Sequence, residues 1–483
     1  LLNMSLKELL HFTQQAAIKE QNEGIRTALT AVHERCKNLI TAGLEYLTMD
    51  RFTGTLSGGE LQRTGIAIQA LSGMESLLCL LDEPGRSLHP KNKKGVITLI
   101  KALKENNNTV VMIEHDISFL EHADHVIEMG PGGGKNGGQI VYQGDGKTIT
   151  KKYYSEITNI TKKFIKRSVF KEYIEFHHLT ANNLSMDHIS IPKGAITIIS
   201  GVSGSGKSSL LNNTIAGSVS SGKPIHCTMA SGLPKADQLL HMAQSTATKQ
   251  RNSTPLTITG LWEPIKRVFS LQALPGYPTV APLNLKGKAA LCTNCHGIGT
   301  THMEMDFLSD IETTCESCHG LRYHPDVLNY RMKGLNLGEI MQLTFSEAIT
   351  FFSEDKSLFE QLHLFSSVGL SYLTLGQQGN HLSSGEIQRL QLLGVLLKSQ
   401  KKQALSHLII LDEPSAGLHY RDTAKVYGLL QQLRDAGHTI IASEHHPVFT
   451  QLADYSIILG PGAGPDGGKI VYAGITSHFS VSR

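Results

Sequence analysis

Three segments occur twice in this chain, each time 330 positions apart, and this repeat limits the possible folds more than any other feature. "LLCLLDEPGRSLH" (Leu77–His89) returns as "HLIILDEPSAGLH" (His407–His419), and "TVVMIEHD" (Thr109–Asp116) as "TIIASEHH" (Thr439–His446). "GPGGGKNGGQIVYQG" (Gly130–Gly144) returns as "GPGAGPDGGKIVYAG" (Gly460–Gly474). A fourth pair, "LSGGELQRTGIA" (Leu56–Ala67) and "LSSGEIQRLQLL" (Leu382–Leu393), lies 326 positions apart. Self-similarity on this scale means two related halves. In each half short apolar strands alternate with helical patterns, which predicts an α/β core around a largely parallel sheet.

The second copy begins near Tyr173 and carries a glycine-rich stretch, "GVSGSGKSS", between the strand-like "AITIIS" and the helix-like "SLLNNTI". Gly201, Gly204, Gly206, Lys207 and Ser208 fit the spacing of a phosphate-binding loop, with Ser203 and Ser209 beside them. Glycines let backbone N–H groups turn inward around phosphate oxygens, and the helix N-terminus favours the negative charge. Lys207 is suited to neutralise β- and γ-phosphate charge, and the Ser208 hydroxyl to hold Mg²⁺. "LIILDEP" ends a strand in two carboxylates: Asp412 is expected to hold Mg²⁺ through water and Glu413 to polarise the attacking water. His445, ending "TIIASEH", is expected to contact the γ-phosphate. Alone, a strand-end Asp-Glu is a common solvated turn; three such features in one register are not.

The early motif at Ser57, Gly58, Gly59 and Glu60 has a capping-box pattern, enough by itself to start a helix. Its paired glycines would also let a helix N-terminus press onto a phosphate. The first copy is present only from this motif onward. Its own phosphate loop is expected upstream of Leu1, where "LLNMSLKELLHF" lacks an initiator Met and reads as the interior of a helical domain.

Composition narrows the class. The 483 residues carry a net charge of +3, with pI about 8.3, too mild a balance to predict nucleic-acid binding. No apolar run approaches the roughly 18 residues of a membrane span, and no secretory leader is visible. The seven cysteines point to a reducing, cytoplasmic setting. Cys292, Cys295, Cys315 and Cys318 form two C-x-x-C knuckles, the spacing of a tetrahedral Zn²⁺ site. Each knuckle also reads C-x-x-C-H, the c-type haem pattern, but haem attachment requires export. His296 and His319 are then bystanders, and Cys36, Cys79 and Cys227 ordinary thiols.

Together "LSGGELQR", "GVSGSGKSSL", "LDEPSAGLH", "LGQQGNHLSSGE" and "GPGAGPDGGKIVYAG" resemble the ABC ATPases, and within them the UvrA branch. The resemblance implies tandem ABC-type P-loop halves paired head to tail, so that the phosphate loop of one half faces the signature of the other. It then implies one complete ATP site here, made by Gly201–Ser208, Asp412, Glu413 and His445 with Ser57–Glu60 opposite. Gln244 matches the family's Mg²⁺-sensing glutamine. A second site would hold Asp82, Glu83, His115 and the signature Ser383–Glu386. The implied segments are a helical signature domain (1–76), the rest of the first core (77–147), a basic linker (148–170) and the phosphate-loop part of the second core (171–262). A signature domain with the four-cysteine zinc module (263–400) and the end of the second core (401–483) follow.

The implied activity is MgATP hydrolysis coupled to recognition of damaged or modified double-stranded DNA in excision repair. The implied assembly is a homodimer that works with a helicase-like excinuclease subunit and no membrane. Lys286, Lys288, Arg322, Arg331 and Lys333, with Lys249, Arg251, Lys266 and Arg267, are candidate phosphate contacts or simply a solvated basic face. Departures from the family, "KQRNSTPLTITG" after Gln244 and "LDEPGRSLH" in the first copy, fit a divergent paralogue and leave drug self-resistance as an alternative role. A transporter ATPase or ribosome-acting factor is the reading from another class; the absence of membrane spans and the embedded four-cysteine module weigh against it.

Overall fold

The computed structural model describes residues 2–56, 58–71, 75–85, 88, 90–130, 137–162, 164, 166–202, 204–242, 253–273, 290–303, 311–399, 406–415, 418, 420–462 and 464–476. Ser57, Ser203 and Gln244 among the expected site residues, and Lys249, Arg251, Lys286 and Lys288 among the expected phosphate contacts, lie outside the described residues. The chain divides into two compact units: Leu1–Glu128, Ile140–Ala243 and Ser406–Arg483 form one, and Met129–Gln139 with Gln244–Leu405 the other.

The first unit is built on a six-stranded sheet whose order runs Lys469–Ile475, Tyr455–Gly460, Ile196–Gly201, Thr439–Ser443, Leu408–Asp412, Leu239–Met242. The Lys469–Ile475 strand is antiparallel to its neighbour, and every other pair is parallel. The unbroken apolar runs "LIIL", "TIIAS" and "AITII" are what a parallel sheet covered on both faces requires. Leu408, Ile410, Ile441 and Ile457 are accordingly buried together with Leu210, Leu211 and Ile215 of the helix after the phosphate loop. A three-stranded antiparallel sheet (Met186–Pro192, Tyr173–Leu179, Met229–Ser231) contributes Ile174, Phe176, Ile189 and Ile191 to the same core.

A buried ion pair pins the central strand where it begins. Arg434 Nη1 lies 2.9 Å from Asp454 Oδ1. Asp454 also accepts from the backbone N–H groups of Arg167 (2.6 Å) and Ile196 (2.8 Å). Every lone pair so engaged offsets part of the desolvation cost of the buried charges.

The first copy of the repeat is built from the same strands with a different environment. Leu78–Asp82 pairs in parallel with Thr109–Ile113, the register that Leu408–Asp412 keeps with Thr439–Ser443. Yet Leu80 is 72% exposed where its counterpart Ile410 is 0%, and Ile127 is 53% exposed where Ile457 is 0%. In the second copy the corresponding strands share one sheet with the phosphate-loop strand and pack against its helix; among the described residues the first copy has neither.

The segment read as a linker is mostly helix, Gly146–Thr161, capped by the Asp145 side chain accepting from the Thr148 N–H. Ile149, Tyr153 and Ile157 are buried along it. Their spacing of four residues makes one apolar stripe that the lysines between them obscured. In the second unit the short helix Pro255–Thr259 packs on Ser384–Ser399, and the rings of Phe345 and Phe365 stack at 3.7 Å.

Candidate nucleotide and metal sites

The strand Ile196–Gly201 delivers the glycine-rich loop, and a helix in the wider π conformation (Ser209–Ala216) follows it. Gly206 has φ +98°, and a Cβ there would come within 2.6 Å of Leu184 Cδ2, so the loop's path is available only to glycine. Lys207 Nζ donates to the carbonyls of Gly201 (2.8 Å) and Val202 (3.0 Å), folding its charge into the loop's own concavity. Burial pushes its ammonium down to about 8, while the carboxylates of Glu413 and Asp412 pull it back up. The structure thus brings Gly201, Lys207, Asp412 and Glu413 together. Ser208 is exposed at the helix start, and Ser209 Oγ accepts from Asn182 Nδ2 at 2.9 Å.

Strand Leu408–Asp412 ends by turning sharply, and Glu413 takes a left-handed φ of +49°. Glu83, its repeat partner, does the same at +46°. Two non-glycine residues held in this region at equivalent strand ends indicate a conformation the surrounding structure enforces. Asp412 Oδ1 accepts from Ser443 Oγ at 2.5 Å, and the Glu413 N–H donates to the Ser443 carbonyl at 3.0 Å. In the first copy Ile113 stands where Ser443 does, so Asp82 has no such hydroxyl.

The motifs passed over Glu444. Its buried carboxylate accepts three backbone N–H groups: Ser415 at 2.9 Å, His445 at 2.7 Å and His446 at 3.0 Å. Glu114 repeats the arrangement with Gly85 (2.8 Å), His115 (2.9 Å) and Asp116 (3.1 Å). Burial pushes the Glu114 carboxyl up, and those three donors oppose it. Each glutamate ties the turn after the strand-end carboxylates to the loop that carries the histidine. The signal was in the sequence as an unchanged position of the repeat. Glu83, Glu114, His115 and Asp116 of one copy face Glu413, Glu444, His445 and His446 of the other around a cavity of about 80 Å³.

The early signature opens the helix Gly58–Leu71. Glu60 is buried and accepts from the Tyr46 hydroxyl at 2.5 Å. Tyr46 in turn lies beside Gly464, where a Cβ would sit 3.5 Å from Tyr46 Cβ. The Gly464 N–H donates to the Gly204 carbonyl of the phosphate loop at 3.0 Å, and Asn183 Nδ2 bridges both residues at 3.1 and 3.0 Å. Lys7 and Asp466 approach to 3.5 Å across the same junction. Lys7 and Tyr46 of the first copy therefore lie against the turn at Gly464–Asp466, which hydrogen-bonds to Gly204 of the glycine-rich loop. Tyr46 was also missed, although "GLEYLT" recurs as "GLSYLT". In the second signature Tyr372 donates to Glu386, and Ser383 and Glu386 exchange hydrogen bonds of 2.7 and 3.3 Å as a capping box.

Cys292, Cys295, Cys315 and Cys318 are brought together and buried. Cys292 and Cys315 sulfurs lie 3.9 Å apart, Cys295 and Cys318 3.6 Å. Zn–S bonds of ~2.3 Å define a tetrahedron with an edge of about 3.8 Å, between those two values. A disulfide needs sulfurs at ~2.05 Å, and no pair here is bonded. The Gly299 N–H donates to Cys295 (3.2 Å) and the Arg322 N–H to Cys318 (3.3 Å), the donors that turn thiolates toward an ion. The residues fit the metal.

The basic residues near this module have internal partners. Arg331 reaches Glu339 at 3.2 Å, Lys333 reaches Glu354 at 3.2 Å and Lys266 reaches Glu263 at 3.6 Å. Burial holds the Arg322 guanidinium below its ordinary value, and its backbone N–H is committed to the Cys318 sulfur. Among the described residues no helix is long and apolar enough to cross a membrane.

These observations meet what relatives record. UvrABC system protein A of Methanothermobacter thermautotrophicus is 35% identical over 502 residues, spanning 100% of this chain and 51% of that protein. The chain is a homologue of UvrA over its whole length. The UvrABC system protein A of Staphylococcus epidermidis is 33% identical over 99% of this chain and 52% of its own. The solved structure of UvrA2 from Deinococcus radiodurans superposes with a TM-score of 0.83 at 29% identity, covering 98% of this chain and 60% of that one. RNase-L Inhibitor superposes at 0.52 with 16% identity over 98% of this chain and 71% of its own, a likeness of fold alone. No family model matches. This UvrA homologue spans about half the length of the curated relatives it matches. Its mixed α/β architecture is that of UvrA and the ABC ATPases, as the motifs implied.

Proposed function

We propose that this chain binds and hydrolyses MgATP at the site around Lys207 and couples turnover to recognition of damaged or modified duplex DNA in nucleotide excision repair. The observation that carries this reading is the chain of neighbours Glu60–Tyr46–Gly464–Gly204, which links a residue of the first copy's signature to the second copy's glycine-rich loop. Lys207 supplies positive charge to the β- and γ-phosphates, and the N-terminus of the Gly58–Leu71 helix faces them from the opposite side. Glu413, held by its left-handed backbone, orients the attacking water and accepts its proton; His445 steadies the γ-phosphate. Ser208 and Asp412 would hold Mg²⁺, which supplies neutralising charge to the phosphates when bound. Glu444 and Glu114 act one step back, as positioning residues for the strand-end turns. Asp82, Glu83 and His115 of the first copy would serve a second site.

The four-cysteine module would hold structural Zn²⁺. Duplex DNA, a second copy of the chain and a helicase-like excinuclease subunit are the partners this reading implies, in the cytoplasm. Because Arg331, Lys333 and Lys266 have carboxylate partners, DNA phosphates would have to compete for them, and binding should weaken steeply with salt. The test is ATPase activity together with duplex binding at low salt, using intact and lesion-bearing DNA. ATP turnover lost in Lys207→Ala, with tighter binding of the lesion duplex by the parent, supports the proposal; no DNA affinity at low salt refutes the DNA half, and turnover in Lys207→Ala the ATP half.

A further inference from the structure

The antiparallel sheet that precedes the phosphate-loop strand carries a feature the nucleotide site does not use. Strands Tyr173–Leu179 and Met186–Pro192 place His177 opposite His188 and Glu175 opposite Ser190. Alternation sends Ile174, Phe176, Ile189 and Ile191 into the core, so Glu175, His177, His188 and Ser190 share the outer face. The two imidazole rings lie 4.6 Å apart at 37° to each other. His188 Nε2 is 4.0 Å from Glu175 Oε1, and one ligand atom from each of Glu175, His177 and His188 falls within 4.8 Å of the other two. Ser190 Oγ lies 3.3 Å from both Glu175 Oε1 and His188 Nε2.

We infer that Glu175, His177 and His188 form a second metal site, for a divalent first-row transition ion, separate from the four-cysteine module. Two imidazole nitrogens and a carboxylate oxygen are the donors that Zn²⁺, Ni²⁺ and Cu²⁺ take, and not those of a hard ion such as Mg²⁺. Ligand bonds of ~2.0–2.2 Å bring tetrahedral donor atoms to about 3.3–3.6 Å of one another, so the observed separations close with small side-chain rotations. The strands beneath are held by the buried core, which fixes the positions from which the ligands project. Three protein ligands on an open face leave a coordination position for water or an outside ligand. A bound ion would staple the two strands whose second member runs through Lys193–Ala195 into the phosphate-loop strand Ile196–Gly201.

The two metal sites differ in donor chemistry, and that makes them separable. Co²⁺ held by thiolates gives a sulfur charge-transfer absorption that Co²⁺ held by imidazole and carboxylate lacks. The purified protein titrated with Co²⁺ should take up two equivalents, one with and one without that absorption. His177→Ala and His188→Ala should each take up one equivalent with the thiolate absorption intact, and Glu175→Gln should weaken the second equivalent by tenfold or more. His188→Gln, a polar substitution at a solvent-facing position, gives the same reading should an alanine variant fail to fold. A parent protein that takes up only the thiolate-bound equivalent overturns the inference. So does a folded His188 variant that still takes up both.

Discussion

Lys207 gives the most direct pH test. Its ammonium, pushed down to about 8 by burial, is protonated at neutral pH and loses its proton as pH rises past that value. Phosphates favour the charged form, so affinity for MgATP should fall about tenfold per pH unit above 8, as calorimetric titration would record. The sign for folding is the reverse. The folded value lies below the ordinary 10.5, so the unfolded chain binds more protons between about 8 and 10.5 and this lysine's contribution to stability rises across that window. Glu413→Gln should keep ATP binding and lose turnover by at least about 100-fold, separating the acceptor role from the binding role. Glu444→Ala leaves three backbone donors without their acceptor and should destabilise the fold by on the order of 3 kcal/mol, read by denaturant unfolding. That cost at a residue in none of the expected phosphate or water contacts is what marks it as a positioning residue.

At the scale of elements, the repeat supplies its own control. Leu80 and Ile410 occupy equivalent strand positions, one 72% exposed and the other 0%. Ile410→Ala should cost about 2–5 kcal/mol, the range for emptying a packed core position. Leu80→Ala should change stability by less than about 0.5 kcal/mol in this chain, as expected for an exposed site. Equal costs would mean that something covers the first copy's strands. The paired cysteine knuckles are the second such case. A zinc chelator should melt the hairpin Thr300–Met303/Ile311–Thr314 that joins them, seen as lost amide protection, while the six-stranded sheet keeps its own.

For the molecule as a whole, the proposed function makes the nucleotide site the work of both halves. Gly58→Asp puts a carboxylate where the signature helix should meet phosphate, and Lys207→Ala removes the charge from the opposite wall. With the second site disabled, each should abolish turnover, and the double variant should be no worse than either single one. Additive losses in ATPase rate would place the two residues in different sites. Tyr46, hydrogen-bonded to Glu60, lies beside Gly464, whose N–H donates to the Gly204 carbonyl.

The two-copy organisation, the parallel strands, the glycine-rich loop and the spacing of the four paired cysteines were legible in the residues alone. Each is local chemistry: an apolar run that must be buried on both faces, glycines at fixed intervals, and sulfurs carried on paired short knuckles. The sequence also marked Lys207, through the glycine-rich motif that opens a helix, and Asp412, Glu413 and His445, through strand-end motifs that the repeat shows twice. It did not pick out Tyr46, Glu114 or Glu444, whose roles come from atoms they meet across turns; only their recurrence was visible. Nor did it tell exposed Leu80 from buried Ile410, since burial depends on what lies above a strand and the two strands read alike. That Tyr46 lies beside Gly464, which bonds to Gly204, was decided by the tertiary structure alone, because residues so far apart in the chain become neighbours only once the elements have packed.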